Sequence, residues 1–436
     1  MAREMKDSGI EWIGEIPREW EVIKIKRLGE YRNGLTYMPS DITDQRNGML
    51  VLRSSNIQHG KISLLDNVYV SSEISEQLKV KQGDIIICSR NGSRDLIGKC
   101  AIVENELNAS FGAFMMKYRC EAPRYMYYIL NSAIFKYYLS TFLTATINQL
   151  TGANFGNMAI VWCKNREEQI RIVDFLDTQC AHIDSVIEKT RAAIEEYKRL
   201  KQSVITQAVT KGIRPNREMK DSGLNVISSL PRDWKVNPIK HICEIPITDG
   251  THMTPDYSDE NNGSPFISSK DVTSGQINWT KIKYITKELH NELKKSIAPR
   301  RNDILLAKNG TTGVAALVDD DREFDVYVTI AVIRVKSQII IPKFALYSIN
   351  SQLCKRQFDE HLKGIGVPNL HLGTINNTKI FIPAISEQTE IVAYLDEKTA
   401  SIDSLIQKKE QLITELEAYK KSLIYEYVTG KKEVVL

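Results

Sequence analysis

EQIRIVDFLDTQCAHIDSVIEKTRAAIEEYKRLKQSVITQAVTKG, residues 168–212, contains no proline, and no glycine before its last residue. It reads as one long helix. Asn165 with Glu168 three residues on fits a capping box, and Gly212 suits the position just past a helix end. Apolar residues recur at alternating steps of three and four, at Ile183, Val186, Ala193, Tyr197, Leu200 and Val204, with Thr190 in the same register. Such a heptad seam needs a partner helix. The partner lies in the same chain, because residues 387–430 repeat the pattern 219 positions later without a gap: Glu168, Gln169, Ile172, Leu176, Ile183, Asp184, Ile187, Ile194 and Ile205 recur as Glu387, Gln388, Ile391, Leu395, Ile402, Asp403, Ile406, Ile413 and Ile424. The second seam reads Ile402, Leu405, Lys409, Leu412, Leu416, Tyr419, Leu423.

Working outward, residues 5–28 (MKDSGIEWIGEIPREWEVIKIKRL) recur at 219–242 (MKDSGLNVISSLPRDWKVNPIKHI), with Pro17 matching Pro231 and Trp20 matching Trp234. Each half therefore opens with this element and closes with a long helix. The chain is a tandem duplication, far longer in period than a solenoid repeat. Between the markers lie β-rich segments with Gly and Asn turns that have diverged much further. Gly48 still aligns with Gly263, Asn56 with Asp271, DIIICSRNG at 84–92 with DILLAKNG at 303–310, and Pro123 to Ser132 with Pro342 to Ser351. The expected class is α+β: two mixed globular domains in a pseudo-two-fold tandem repeat, with two long helices forming a coiled coil. The expected segments are 1–164, a first domain; 165–212, the first helix; 213–384, the repeated element and second domain; and 385–436, the second helix and tail.

A chain of 436 residues exceeds the usual single domain, and its net charge of +4 permits a polyanionic partner without requiring one. The seven cysteines are scattered without a CxxC, which fits a reducing cytoplasm better than a disulfide framework or structural zinc. No apolar run reaches membrane-spanning length, and no signal-peptide core follows Met1. Catalytic motifs fail on inspection. GSRDLIGKC at 92–100 has one residue too many for a P-loop and Cys100 where its Ser or Thr belongs, and GIGVPN at 364–369 lacks the third glycine of a dinucleotide fingerprint. Pro255 and Asp256 with the distant Glu292, Leu293 and Lys294 are too widely spaced for a nuclease, and the histidines show no paired ligand spacing. No catalytic residue and no metal ligand is expected.

The divergent loops do carry hydrogen-bonding capacity on glycine-containing turns. The candidates for DNA contact are Arg53, Ser54, Asn56, Arg90, Asn91 and Arg94 in the first domain, and Thr251, His252, Ser269, Lys270, Lys308, Asn309 and Thr311 in the second. Arginine can grip guanine with two hydrogen bonds and asparagine adenine, while lysine and serine suit phosphate oxygens. Ordinary polar turns have the same composition. A stand-alone DNA-binding regulator and a coiled-coil scaffold without a nucleic-acid role are the rival readings.

The DSG and IPxxW element at Asp7 to Trp20 and Asp221 to Trp234, with EQxxIVxxLDxxxxxID at Glu168 to Asp184 and Glu387 to Asp403, resembles the specificity subunits of type I restriction-modification systems over essentially the whole chain. The resemblance implies two target recognition domains, each reading half of a split, asymmetric double-stranded DNA site, held apart by an antiparallel helix pair. It implies that two methyltransferase subunits, which use S-adenosylmethionine, dock on those helices, and that restriction subunits join them. No cofactor is expected in this chain. A helix of this length spans roughly 60 Å, against about 34 Å between half-sites one DNA turn apart. One departure is Val226 where the first copy has Trp12.

Overall fold

The computed structural model describes residues 3–143, 148–272, 275–310, 312–362 and 369–434. The chain divides into two compact units, Met1–Thr190 with Glu410–Leu436, and Arg191–Lys409. Each long helix therefore gives its first part to one unit and its remainder to the other.

In the first unit a four-stranded antiparallel sheet runs in the order Cys100–Ile102, Ile85–Cys88, Met115–Cys120, Gly29–Asn33. The central strand IIIC is buried on both faces. Alternate side chains of a strand point to opposite faces. Ile85 and Ile87 accordingly join the core beneath the helices Pro123–Leu130 and Ala133–Phe142, while Ile86 and Cys88 join a second core with Leu50, Leu52 and Phe111. That second core is closed by another four-stranded sheet, Ala109–Phe111, Met49–Leu52, Tyr69–Val70, Ile42–Thr43, whose first pair is parallel. The second unit repeats this plan. Ile304–Ala307 sends Ile304 and Leu306 to one core and Leu305 and Ala307 to the other, and Phe266 to Ile267 pairs in parallel with Asp325 to Val326. The expected mixed α+β class is what the chain adopts.

The duplicated N-terminal element fastens to the start of a helix in each unit. Trp20, buried, donates its indole N–H to Glu168 Oε2 at 3.2 Å, and Arg3 bonds the same carboxylate at 2.6 Å while lying over the indole. Trp234 donates to Glu387 Oε2 at 3.1 Å, with Arg217 in the place of Arg3. The expected capping box is thus half present. Asn165 Oδ1 accepts the N–H groups of Glu167 and Glu168 at 2.9 and 3.1 Å, but the Glu168 side chain turns to Arg3 and Trp20, whose charge-assisted bonds outcompete a backbone N–H. Gly212 ends the helix as expected, with φ +76° and its N–H on Ala208 O at 3.1 Å. Any Cβ there would lie 3.3 Å from the Trp234 ring.

The helices run antiparallel within each unit: Phe175 meets Tyr427 and Asp184 meets Lys420 in the first, Tyr197 meets Lys409 and Arg214 meets Glu390 in the second. Asp184–Lys420 at 2.6 Å and Asp403–Lys201 at 2.7 Å are the same ion pair in the two copies of the repeat. The seam itself departs from expectation. Ile183, Ile187, Thr190, Ile194 and Ile205 are buried on one helix and Ile402, Leu423, Ile424 and Tyr427 on the other. Val186, Ala193, Tyr197, Val204 and Leu416 are half-buried, and Leu200, Leu405, Leu412 and Tyr419 are exposed. The buried stripe keeps Ile183, Thr190, Ile402 and Leu423 of the expected seam and is displaced by one residue at Ile187, Ile194 and Ile205. Isoleucines at 187, 194 and 205 carry it, and a helix packed against a globular core as well as a partner helix turns a broader face inward than a two-helix seam would.

Trp12 stacks on Tyr137 with ring centroids 4.3 Å apart and meets Tyr138 edge-on at 6.2 Å. In the second unit Val226 replaces it, and Arg356, Gln357 and His361 stand at the repeat positions of Tyr137, Tyr138 and Phe142. The seat of the missing indole is a cavity of about 390 Å³ lined by Val226, Gln357, His361 and Asn377, among others. All seven cysteines are free and all but the half-buried Cys120 are buried. Burial pushes the thiols of Cys100, Cys163 and Cys243 up to about 12.

Candidate nucleic-acid interface

In each unit the loops at one end of the central sheet come together through matching backbone bonds. Ser89 N–H donates to Phe114 O at 2.9 Å and Leu150 N–H to Ser89 O at 2.8 Å; Lys308 N–H donates to Thr329 O at 2.8 Å and Leu370 N–H to Lys308 O at 2.9 Å. Arg90 bridges to Gln149 as Asn309 does to Asn369, and Leu35 to Gly112 as Thr251 does to Tyr327. Arg53 N–H donates to Asn56 Oδ1 at 2.9 Å, and Ser268 N–H to Asp271 Oδ2 at 2.8 Å. One backbone frame thus carries two different sets of side chains. It also fixes the correspondence that the sequence blurs: Arg90 is the counterpart of Asn309, and Lys308 that of buried Ser89.

In the first unit the frame encloses a pocket of about 840 Å³ whose lining includes Arg53, Ser54, Arg90 and Asn91. Asn91 Nδ2 donates to Ser54 Oγ at 2.9 Å, tying two loops together. Arg53 Nη2 bonds Asp66 at 2.9 Å. Arg94 and Asn56 fall outside the lining. Arg94 is exposed and donates to the Leu143 carbonyl. Asn56 is buried, its amide donating to the carbonyls of Ser63 and Asp66 at 3.0 Å, so it holds the loop from behind. The sequence passed over two aromatic walls of this pocket, Tyr37 and Phe114. Phe114 is 57% exposed, and the Arg90 guanidinium lies over its ring at 5.2 Å. A lone phenylalanine after a glycine-alanine pair carries no pattern that marks it as exposed.

In the second unit the corresponding loops bring forward Thr251, His252, Ser269, Lys270 and Asn309. His252 is exposed, 3.3 Å from Asp249 Oδ1, and Lys270 reaches Lys281 O at 3.2 Å. Ser269 N–H donates to Thr329 Oγ1 at 3.1 Å, and a Cβ on Gly310 would lie 3.7 Å from Ser269 Oγ, so these two loops meet as those of Asn91 and Ser54 do. Lys308 is not at the surface. It is buried and ion-paired with Asp249. Burial alone would raise the Asp249 carboxyl, but the hydrogen bonds and charges of Lys308 and His252 together outweigh it and hold the group below its usual range. Thr311 lies outside the described residues.

Both frames rest on a buried carboxylate at the far end of the strand that leads to them. Asp84 takes Arg119 at 2.6 and 2.7 Å, and Asp303 takes Arg334 at 2.8 and 2.7 Å, each bidentate. Among the described residues no cluster of His, Cys, Asp or Glu could hold a metal ion, and no helix is long and apolar enough to cross a membrane.

A family model described as the type I restriction modification DNA specificity domain matches residues 17–196 and again 231–415. The chain belongs to this family. Among curated relatives, the type I restriction enzyme EcoBI specificity subunit of Escherichia coli is 23% identical, over 93% of this chain and 84% of its own length. The MjaVIII specificity subunit of Methanocaldococcus jannaschii is 24% identical, over 96% and 94%. Among solved structures, a chain described under complex assembly and conformational transition of the type I R-M system superposes with a TM-score of 0.68 at 16% identity, covering 96% of this chain and 99% of that one. That likeness is one of fold. As a type I specificity subunit, the chain supplies DNA specificity, and the catalytic steps of such systems lie in other subunits.

Proposed function

We propose that each unit of this specificity subunit reads one half of a split, asymmetric double-stranded DNA site. The first does so with Arg53, Ser54, Arg90 and Asn91 around its pocket, the second with Thr251, His252, Ser269, Lys270 and Asn309. The observation that carries this is the shared backbone frame bearing unlike side chains: one geometry presented to DNA twice, with two different patterns of donors and acceptors. The outer faces of the two long helices, which leave Leu200, Leu405, Leu412 and Tyr419 exposed, are the docking surface for two methyltransferase subunits. Those subunits carry S-adenosylmethionine, and restriction subunits join the same assembly.

The test is methylation-sensitive sequencing of DNA modified by the assembled complex. The wild-type chain is expected to direct methylation to one split motif. Arg90→Ala should relax one half of it, and Asn309→Ala the other, by about 1–3 kcal/mol where a base-reading pair is lost. A uniform loss over all sequences would assign the altered residue to phosphate, and no loss would remove that loop from the interface.

A further inference from the structure

We propose that the pocket of the first unit holds one base rotated out of the stack at or beside its half-site, with the Phe114 ring as the surface on which that base lies. This rests on the DNA-reading role proposed above. Base edges inside a duplex lie on the floor of a groove and are reached by protruding elements such as a helix or a ribbon. A concavity of about 840 Å³ instead admits a group that projects from the duplex, either a phosphate or an extruded base. Three observations favour the base.

Phe114 is mostly exposed yet fixed, because its carbonyl accepts the N–H groups of Ser89 and Arg90 at 2.9 and 3.1 Å and the Arg90 guanidinium lies over the ring. An immobilised aromatic face turned to solvent is a stacking platform, and Tyr37 stands in the same lining. Next, Arg53 Nε and Ser55 Oγ, both in this lining, are buried without a hydrogen-bond partner among the described residues. Buried polar atoms are rarely left unpaired, so two just behind the wall of one pocket mark hydrogen-bonding capacity that a small shift of the wall would offer to an occupant. Finally, the cations of the lining are partly engaged within the protein, Arg53 through Nη2 with Asp66 and the Arg90 guanidinium over the Phe114 ring. The rest of the polar lining is amides and hydroxyls, among them Asn148, Thr36, Tyr37 and Ser55, which matches the donors and acceptors of a base edge better than the charge of a phosphate.

The test uses the full chain without methyltransferase subunits, so that no other protein can extrude a base, and duplexes of the motif found by methylation sequencing. 2-Aminopurine is placed at successive positions across the first half-site and its flanks, and binding is followed separately by anisotropy of an end label. One position should brighten several-fold on binding. Phe114→Ala should abolish that rise and weaken binding about tenfold, while Phe114→Tyr keeps both. Duplexes that bind with no position brightening, or a rise unchanged in Phe114→Ala, would overturn the proposal. So would a single methylphosphonate that abolishes binding while every base stays dark, since the pocket would then hold a phosphate. No preference for the motif over a scrambled duplex would instead strike the DNA-reading role itself.

Discussion

Trp20 and Glu168, 148 positions apart in sequence, share a hydrogen bond of 3.2 Å that fastens the N-terminal element to the first turn of the long helix. Removing the indole by Trp20→Ala is expected to cost about 3–5 kcal/mol, the range for a large aromatic lost from a core. The same carboxylate gives the fold an acid limit. Burial pushes Glu168 upward, but the hydrogen bonds and charge of Arg3, with help from Cys163 and Trp20, hold its carboxyl below the usual range. A group whose folded value is depressed stabilises above its unfolded value and loses that contribution as pH falls through the folded one. The difference in melting temperature between wild type and Glu168→Gln should therefore be largest near neutral pH and shrink below about pH 4. A difference that stays constant down to strongly acidic pH would mean the carboxylate's charge plays no part.

The buried stripe of the helix pair makes a second prediction. Ile187→Ala and Ile194→Ala should each lower stability by about 2–4 kcal/mol, whereas Leu200→Ala and Leu412→Ala should stay within about 1 kcal/mol. Urea titrations of the four variants decide between this stripe and one shifted by a residue, which would reverse the order.

Lys308 and Asn309 are neighbours with opposite expectations. Lys308→Ala strands Asp249 in a buried site and should cost up to about 3–5 kcal/mol of stability. Asn309→Ala should leave the melting temperature nearly unchanged and alter only the methylated motif. Thermal melts paired with methylation sequencing separate the two, and a stable Lys308→Ala chain with a relaxed motif would return Lys308 to the DNA surface.

Trp12 and Val226 occupy the same place in the duplicated element but do unequal work. Trp12→Ala should cost about 2–3 kcal/mol through lost burial and ring stacking on Tyr137. Val226→Ala, beside a cavity that is already open, should cost under about 1 kcal/mol. Calorimetry of the two variants checks the asymmetry.

The duplication, the long helices and the mixed class were legible because they rest on periodicity and on exact recurrences such as Trp20 and Trp234. The contact between those tryptophans and Glu168 or Glu387 was not, although both partners recur, since sequence recurrence marks a position without saying what it touches. Arg3 and Arg217 recur as well, in REMKDSG at 3–9 and 217–223, but they precede the stretch read as the repeat by two residues and so escaped notice. The seam holds at Ile183, Ile402 and Leu423 and shifts by one residue elsewhere, because steps of three and four fit Leu200 as well as Ile194 and only packing against the globular core decides between them. For the loops, residue type marked polar residues at turns. It could not separate Arg90, at a pocket, from Asn56 and Lys308, which are spent on internal bonds, and no pattern exposed Phe114.

The burial of the thiols has a practical side. A thiol held near 12, or screened by the core, is almost never a thiolate at neutral pH and reacts with an alkylating reagent only when its surroundings open. Cys88, Cys100, Cys120, Cys163 and Cys180 lie in the first unit, and Cys243 and Cys354 in the second. The chain therefore carries native clocks in both halves. Timed alkylation followed by peptide mass analysis would give opening rates for each half separately, with no added label.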